Sequence, residues 1–449
     1  MEKIRHEGTE GTEKQRMARF MRQNTLLRVL RCATVVGLSC QRFDSPCDCP
    51  GWGRVAPAAA AMNGALPAWL SEEQRLFVET ARRFARERIA PHYQKREREQ
   101  RIDPALIREI GGLGLIAPEL PQAYGGLGQP GATSGLIIEA IGHADVNVAY
   151  LQLLGSLTGK IIAEHAAPEL SRHWLPRIVS GRSVIALALT EPRGGSDAAH
   201  LALAARRDGE RYLLKGEKSS ISMADQADAF IVFARTGRPE EGARGVSAFL
   251  VPADTPGIAL ARYDDLGSKA IGRGSIFFDD AVVPVANRLA AEGAGFVQVM
   301  QGFDFSRALI GLQVLGAAQA SLDESWAYVQ ERHAFGGPLA RHQGVTFPLA
   351  EAETLVAAAR QLCYHTLQLK DAGRLHTAEA AMCKWLAPKI AVDAIHQCLL
   401  THGHYGWSMD LPHQQRLRDV MGLEIGDGTA QIMKLIIARE RLKAPAGRD

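Results

Sequence analysis

The sequence predicts a mainly α protein with a central β domain: an N-terminal helical domain, a middle β-barrel or sandwich, and a C-terminal four-helix bundle. Three observations carry that reading. Apolar residues recur at helical spacing up to about Arg182. From about Ser183 to Leu289 they give way to short β-rich runs between turn signals, such as VIALALT, DAFIVFART and GSIFFDDAVV. From Phe296 onward long amphipathic segments with short connections return, the pattern of a bundle. The domains are expected at 62–182, 183–292 and 293–449, behind a segment of different character at 1–61.

That first segment holds ten Lys or Arg against six Asp or Glu, and four of the seven cysteines: Cys32, Cys40, Cys47 and Cys49. Gaps of seven, six and one residues between them fit no zinc template. Arg28 and Arg31 interrupt LLRVLRCATVVGL, which argues against a secretory signal, and Glu2, Glu7, Glu10 and Glu13 argue against an organellar presequence. The preferred reading is an overextended, disordered start, with Met62 opening the protein.

The first helix is announced by a capping box, Ser71 with Gln74 three residues on, and by Leu76, Phe77, Ala81, Phe84 and Ala85 at helical spacing. Helical patterns continue through DPALIREIGGLG, GLIIEAIGHAD and LLGSLTGKIIAEHA. Cys363, Cys383 and Cys398 lie on apolar helical faces and read as small core residues. The run QKREREQR at 94–101 alternates sign and reads as a solvated helix end rather than a nucleic-acid patch.

A net charge of +3 gives no case for nucleic acid or a membrane surface. No apolar run reads as approaching the roughly 20 residues of a membrane span. A soluble protein of the bacterial cytoplasm is expected, ahead of the mitochondrial matrix. GLGLIAPELPQAYGGLGQPG has no strand before it and no GK[ST] after it, so it is no Walker loop. No G-x-S-x-G marks a serine hydrolase.

Five stretches point to an identity: LTEPRGGSD at 189–197, KSSISMADQAD at 218–228, ERHAFGGPLARHQ at 331–343, THGHYGWS at 401–408 and RDVMGLEIGDGTAQIMKLIIAR at 418–439. In this order and on this background they resemble the acyl-CoA dehydrogenase family, over about Ser71 to Leu442. The resemblance implies a homotetrameric FAD enzyme that removes the α and β hydrogens of an acyl-CoA thioester. It implies an electron-transfer flavoprotein as the acceptor of its electrons.

Breaking a C–H bond beside a thioester needs a base at Cα and hydrogen-bond donors on the thioester carbonyl. A carboxylate in a dry pocket suits the base, because desolvation raises its pKa toward the working pH. The family commonly places a glutamate before Gly-Thr ahead of its last helix. Here that position is Asp427, followed by Gly428 and Thr429. By resemblance, the Asp427 N–H joins a flavin ribityl hydroxyl in holding the thioester oxygen. On pattern alone, a cap or a turn explains Asp427 as well, since D-G pairs often serve there.

Some members carry the base instead on the first bundle helix, where this chain has Ser306, which cannot act as a carboxylate base. Phe303, Asp304 and Arg307 match positions that contact the CoA, with a helix-end ion pair as the alternative for the last two. Aspartate is one methylene shorter than glutamate, and Gly426 stands where the family often has a bulky aromatic. Both changes enlarge the space around Cα and suit a ring or branch there. The IGDGT tail resembles cyclohexanecarboxyl-CoA and cyclohexenecarboxyl-CoA dehydrogenases. A straight-chain or 2-methyl-branched acyl-CoA is the runner-up.

The flavin contacts follow from the same resemblance. Thr190 and Ser196 match residues that touch the isoalloxazine, and Ser196 also matches one on the phosphopantetheine side of the substrate. Ser222 matches a threonine that hydrogen-bonds the flavin. Arg332 of the neighbouring subunit is implied to bind the pyrophosphate, which suits a guanidinium fork, with Phe335 and Gln343 in the same motif. Gly403 and Gly406 allow close backbone approach, and Thr429 and Gln431 serve the adenosine end.

Three departures stand out: Arg193 for a usual Gly, Ser220 for a flavin-shielding Trp, and Leu400 for a common Gln. They keep open a non-catalytic relative that retains the flavin. His402 and His404 read as a flavin-facing loop rather than a metal site. The direction of the reaction stays open, because the electron donor's potential sets it.

Overall fold

Residues 69–443 are described by a computed structural model. The expectations for 1–61 and for a start at Met62 fall outside the described residues.

The helix α1 (Glu72–Phe84) opens on the expected reciprocal cap. The Gln74 N–H donates to Ser71 Oγ and the Ser71 N–H to Gln74 Oε1, both at 3.1 Å. A π turn at Ala85–Ile89 follows it. Val78, Ala81, Ala85 and Ile89 are buried, whereas Leu76, expected on the inner face, is 65% exposed. The domain continues with α2 (Tyr93–Glu99), α3 (Pro104–Gly112), α4 (Gly131–Ala144), α5 (Val146–His165) and α6 (Pro168–Val179). At 20 residues α5 is long and apolar enough to cross a membrane, which the sequence reading did not anticipate. Its most apolar stretch is 83% buried in the fold, so α5 is the core helix of this domain.

The charged run at 94–101 is more than a solvated end. Arg96 is buried, and its Nε donates to Asp145 Oδ2 at 2.6 Å. On the same helix, Tyr93 Oη donates to Asp419 Oδ2 at 2.7 Å. Asn147 Nδ2 and the Ser268 N–H donate to that carboxylate as well. One buried carboxylate therefore joins all three domains, which fixes how the C-terminal chain enters the site described below.

The middle domain is an eight-stranded sheet of β1 (Ile185–Ala188), β2 (Ala204–Asp208), β3 (Arg211–Ser222), β4 (Ala229–Arg235), β5 (Val246–Pro252), β6 (Ile258–Arg262), β7 (Arg273–Pro284) and β8 (Arg288–Leu289). Its order is β6-β7-β3-β2-β4-β5-β8, with β1 beside β4. The pairs are antiparallel except β1–β4 and β2–β4. Tyr212, Phe230, Phe249 and Phe278 fill a core of its own.

The C-terminal domain starts with α7 (Gly295–Glu331) and a hairpin of β9 (His333–Ala334) and β10 (Gly337–Pro338). It continues with α8 (Gln343–Asp371), α9 (Thr377–His402), the single turn α10 (His404–Trp407), α11 (His413–Ile425) and α12 (Ala430–Leu442). Cys363, Cys383 and Cys398 are buried between these helices, as predicted. Gly311 of α7 lets the helices close in, since a Cβ there would stand 2.5 Å from Cys363 Sγ.

Candidate active site

At the end of α11 the Gly426 N–H still donates to Gly422 O, at 3.0 Å, and then the chain turns sharply. Gly426 is extended, Asp427 has φ 55° and Gly428 has φ 107°. Left-handed backbone is uncommon for a non-glycine residue, and aspartate is among the few that adopt it readily. The helix α12 that follows is capped by Thr429, whose Oγ1 accepts from the Ile432 N–H. Capping therefore does not account for Asp427.

Burial pushes the Asp427 carboxyl above its ordinary value, and Lys384, Arg273 and Arg307 pull it down, with burial prevailing. These three cations come from α9, β7 and α7, so three elements converge on one carboxylate. Tyr150 of α5 faces it as a fourth. Its hydroxyl is pushed up to about 12, first by burial and then by the charge of Asp427, against Ser222 and Arg273. Ser222 and Arg273 are cross-strand partners at the ends of β3 and β7. Arg273 Nη1 donates to Asp265 Oδ2 at 3.2 Å, and its Nη2 lies 3.3 Å from where a Cβ on Gly422 would stand. The bare backbone of α11 leaves room for that guanidinium.

Arg307 is buried with its Cζ 5.7 Å from the centroid of the Phe303 ring. Its Nη1 donates to Asp304 Oδ1 at 2.9 Å, and Thr377 Oγ1 donates to Asp304 Oδ2 at 2.6 Å. The ion pair anticipated as an alternative is present, yet the same guanidinium also acts on Asp427, and its buried Nε has no partner among the described residues. Ser306 is buried and donates to Phe303 O within its own helix.

On the middle domain, the Ser219 N–H donates to Thr190 O at 2.9 Å and lays the 189–197 loop against β3. Glu191 anchors that loop, accepting from the N–H groups of Ala202 and Leu203 and from Lys218 Nζ at 2.7 Å. Ser220 is exposed at φ 58° in a register shift between Lys218 and Ile221, while Ser222 is half-buried. Ser196 is exposed in the loop.

The remaining predicted contacts are not drawn to Asp427 within one chain. Arg332, Phe335, Gln343, Gly403 and Gln431 are exposed, Phe335 at 96%. Gly428 and Thr429 stand in the Asp427 turn itself.

One sequence expectation needs correction. His402 is not in a loop. It is buried in the last turn of α9, its Nδ1 against Cys398 O at 2.8 Å, with Tyr328 and His413 rings each 4.2 Å away. Gly406 makes a close backbone approach, since a Cβ there would stand 2.2 Å from Leu399 O at the end of α9. Among the described residues no cluster of His, Cys, Asp or Glu is arranged to hold a metal ion.

Tyr150, Arg273 and Lys384 were missed from sequence. Only Lys384 left a signal, as a lone charge inside the apolar run AAMCKWLA, since lysine is almost never fully buried without a partner.

Comparison with known proteins meets this geometry. Profiles of the acyl-CoA dehydrogenase N-terminal, middle and C-terminal domains match residues 71–182, 186–281 and 293–442. A probable acyl-CoA dehydrogenase of Bacillus subtilis, YngJ, is 34% identical over 377 residues, 83% of this chain and 99% of its own. Cyclohexane-1-carbonyl-CoA dehydrogenase of Geobacter metallireducens is 33% identical over 378 residues, 84% of this chain and 99% of its own. Glutaryl-CoA dehydrogenase of Mycobacterium smegmatis, solved in complex with FADH2, superimposes with a TM-score of 0.79 at 26% identity, covering 84% of this chain and 97% of that one. With all three domains matched in order and a carboxylate standing in the turn before the last helix, the chain belongs to the acyl-CoA dehydrogenase family of oxidoreductases.

Proposed function

We propose that this protein is an FAD-dependent acyl-CoA dehydrogenase whose base is Asp427 and whose substrate is an alicyclic or α-substituted acyl-CoA. The observation that carries the first part is the Asp427 turn: a carboxylate held in left-handed backbone, freed from capping and raised by burial. A base needs to be ionised yet willing to take a proton, and burial opposed by three cations provides that balance.

The donor set fits a flavin. Thr190, in the loop laid against β3, and Ser222, at the end of β3, offer hydroxyls, and the exposed hairpin supplies a guanidinium and a bare aromatic ring in Arg332 and Phe335. Bound FAD supplies the hydride acceptor for Cβ. The exposure of Phe335 and of Trp407, at 72%, supports a homotetramer in which a neighbouring copy brings that hairpin to the flavin. An electron-transfer flavoprotein is the acceptor proposed from the family.

In this reading Asp427 removes the Cα proton, and its own N–H steadies the charge that develops on the thioester oxygen. Arg307, whose buried Nε has no partner among the described residues, is the cation proposed for the CoA side. A Cβ on Gly426 would meet only Gly422 O, at 3.5 Å, so the place of the family's aromatic is open. That space supports a ring at Cα, as does the likeness to the Geobacter enzyme.

The test is anaerobic mixing with cyclohexanecarboxyl-, cyclohex-1-enecarboxyl-, 2-methylbutyryl-, butyryl- and octanoyl-CoA while the visible flavin band is followed. Cyclic thioesters should bleach the parent fastest, and Gly426→Phe should reverse the order toward butyryl-CoA. If straight chains lead in the parent, the inference from Gly426 is lost. If no thioester bleaches a fully flavin-loaded protein, the dehydrogenase reading falls.

A further inference from the structure

Lys384 lies in the middle of α9 with no exposure at all. A buried ammonium is costly unless its protons are used. Its Nζ donates to Leu423 O at 2.6 Å and to Gly428 O at 3.2 Å. These carbonyls stand four residues before and one residue after Asp427, so a single cation ties together both sides of the turn. Leu423 O belongs to the last turn of α11, where carbonyls lack helical partners and the dipole favours a cation.

The acceptor that Lys384 takes has a further meaning. Had α11 continued, Leu423 O would have accepted from the N–H of Asp427 itself. With Lys384 on that oxygen, the Asp427 N–H donates to no backbone acceptor among the described residues. The same ammonium thus sustains the left-handed turn and leaves a backbone donor free beside the carboxylate.

We propose that Lys384 is the positioning residue of the base: by gathering the Leu423 and Gly428 carbonyls it aims the Asp427 carboxylate and keeps the Asp427 N–H available to the thioester oxygen. The proposal rests on Asp427 being the base. Besides Asp427, the charged groups acting on Lys384 are Arg307 of α7 and Glu424 of α11. Burial lowers its ammonium to about 8, with Asp427 opposing, so its charge is lost within a workable pH range.

The experiment is anaerobic flavin reduction by the best thioester of the panel, from pH 6 to 10, for the flavin-loaded parent, Asp427→Asn and Lys384→Met. Methionine keeps the apolar stem and removes the ammonium. Misplacing a reacting group by an ångström loses about 10²-fold in rate, and Lys384→Met should show a loss of that order in the reduction rate with little change in half-saturating substrate. Its acid-side inflection should also move to higher pH, because a cation beside the carboxylate is gone.

A Lys384→Met rate and inflection equal to the parent's, with Asp427→Asn inert, overturns the role of Lys384 and leaves the base in place. A parent inert to every thioester overturns both. Should Lys384→Met fail to hold flavin, the parent decides: its rate should fall as pH rises through about 8, and a flat rate to pH 10 overturns the proposal.

Discussion

Lys218 and Lys384 are both fully buried, and burial lowers both ammonium groups to about 8. Their surroundings differ in one respect. Lys218 Nζ sits 2.7 Å from Glu191 Oε1, and the Glu191 carboxylate is also filled by two backbone N–H groups. Burial alone would raise Glu191, but Lys218 and those N–H groups outweigh it and hold the carboxyl below its ordinary value. Lys384 bonds only to carbonyls, and the carboxylate nearest it in effect, Asp427, is raised. A carboxylate closed by a direct ion pair is scaffolding. One that feels its cations at a remove keeps its lone pairs for a proton.

The contrast breaks most visibly in activity. General-base catalysis contributes about 10²- to 10⁴-fold, so Asp427→Asn should lose a factor of that order in anaerobic flavin reduction. Glu191→Gln should leave the rate per bound flavin unchanged. Equal losses in the two variants would erase the distinction between the carboxylates.

Stability should show the reverse pattern. Lys218→Met strands Glu191 as a buried charge, and losing one partner of such a pair costs about 3–5 kcal/mol. Denaturant titration should find that loss, and Glu191→Gln added to Lys218→Met should recover much of it. A double variant as unstable as the single one would place the defect in packing.

His413 extends the comparison to a buried imidazole whose Nε2 lies 3.5 Å from Glu324 Oε2, although neither ring nitrogen has a hydrogen-bond partner among the described residues. Burial is the main reason that its pKa falls to about 3, so its folded-state affinity for protons lies below the unfolded value of about 6.5. The unfolded chain then binds the extra proton, and stability is lost as pH falls below 6.5 toward 3. At pH 5 this loss is roughly 2 kcal/mol. Thermal melts of His413→Phe at pH 7 and pH 5 should show a smaller acid drop than the parent.

The smallest effect is expected from Arg273, which already spends part of its charge on Asp265. Arg273→Ala removes one cation that lowers Asp427, so the acid-side inflection of flavin reduction should move up modestly. A downward movement would mean that Arg273 does not act on the base.

Much of the site was legible where residue type and spacing coincide. Ser71 and Gln74 announced their cap because both partners lie within one turn. Asp427 stood out between two glycines, and Asp304 and Arg307 shared a helix three residues apart. Arg273 and Tyr150 carried no such mark. Arg273 reads as the first residue of a strand and Tyr150 as one more apolar position of a core helix, and only folding sets them opposite Asp427. Leu76 failed for a related reason: helical spacing shows that a stripe exists, but the packing partners decide which side faces inward.

By itself the sequence determined the succession of helical, β and helical domains, the family, and the carboxylate before the last helix, because these depend on residue type and local period. Tertiary structure decided what that carboxylate became. Burial, three cations from separate elements, and a lysine that takes the acceptor of the Asp427 N–H all arise from contacts across the chain. The energy of a charge depends on its distance from other charges and from water, and no residue order states those distances.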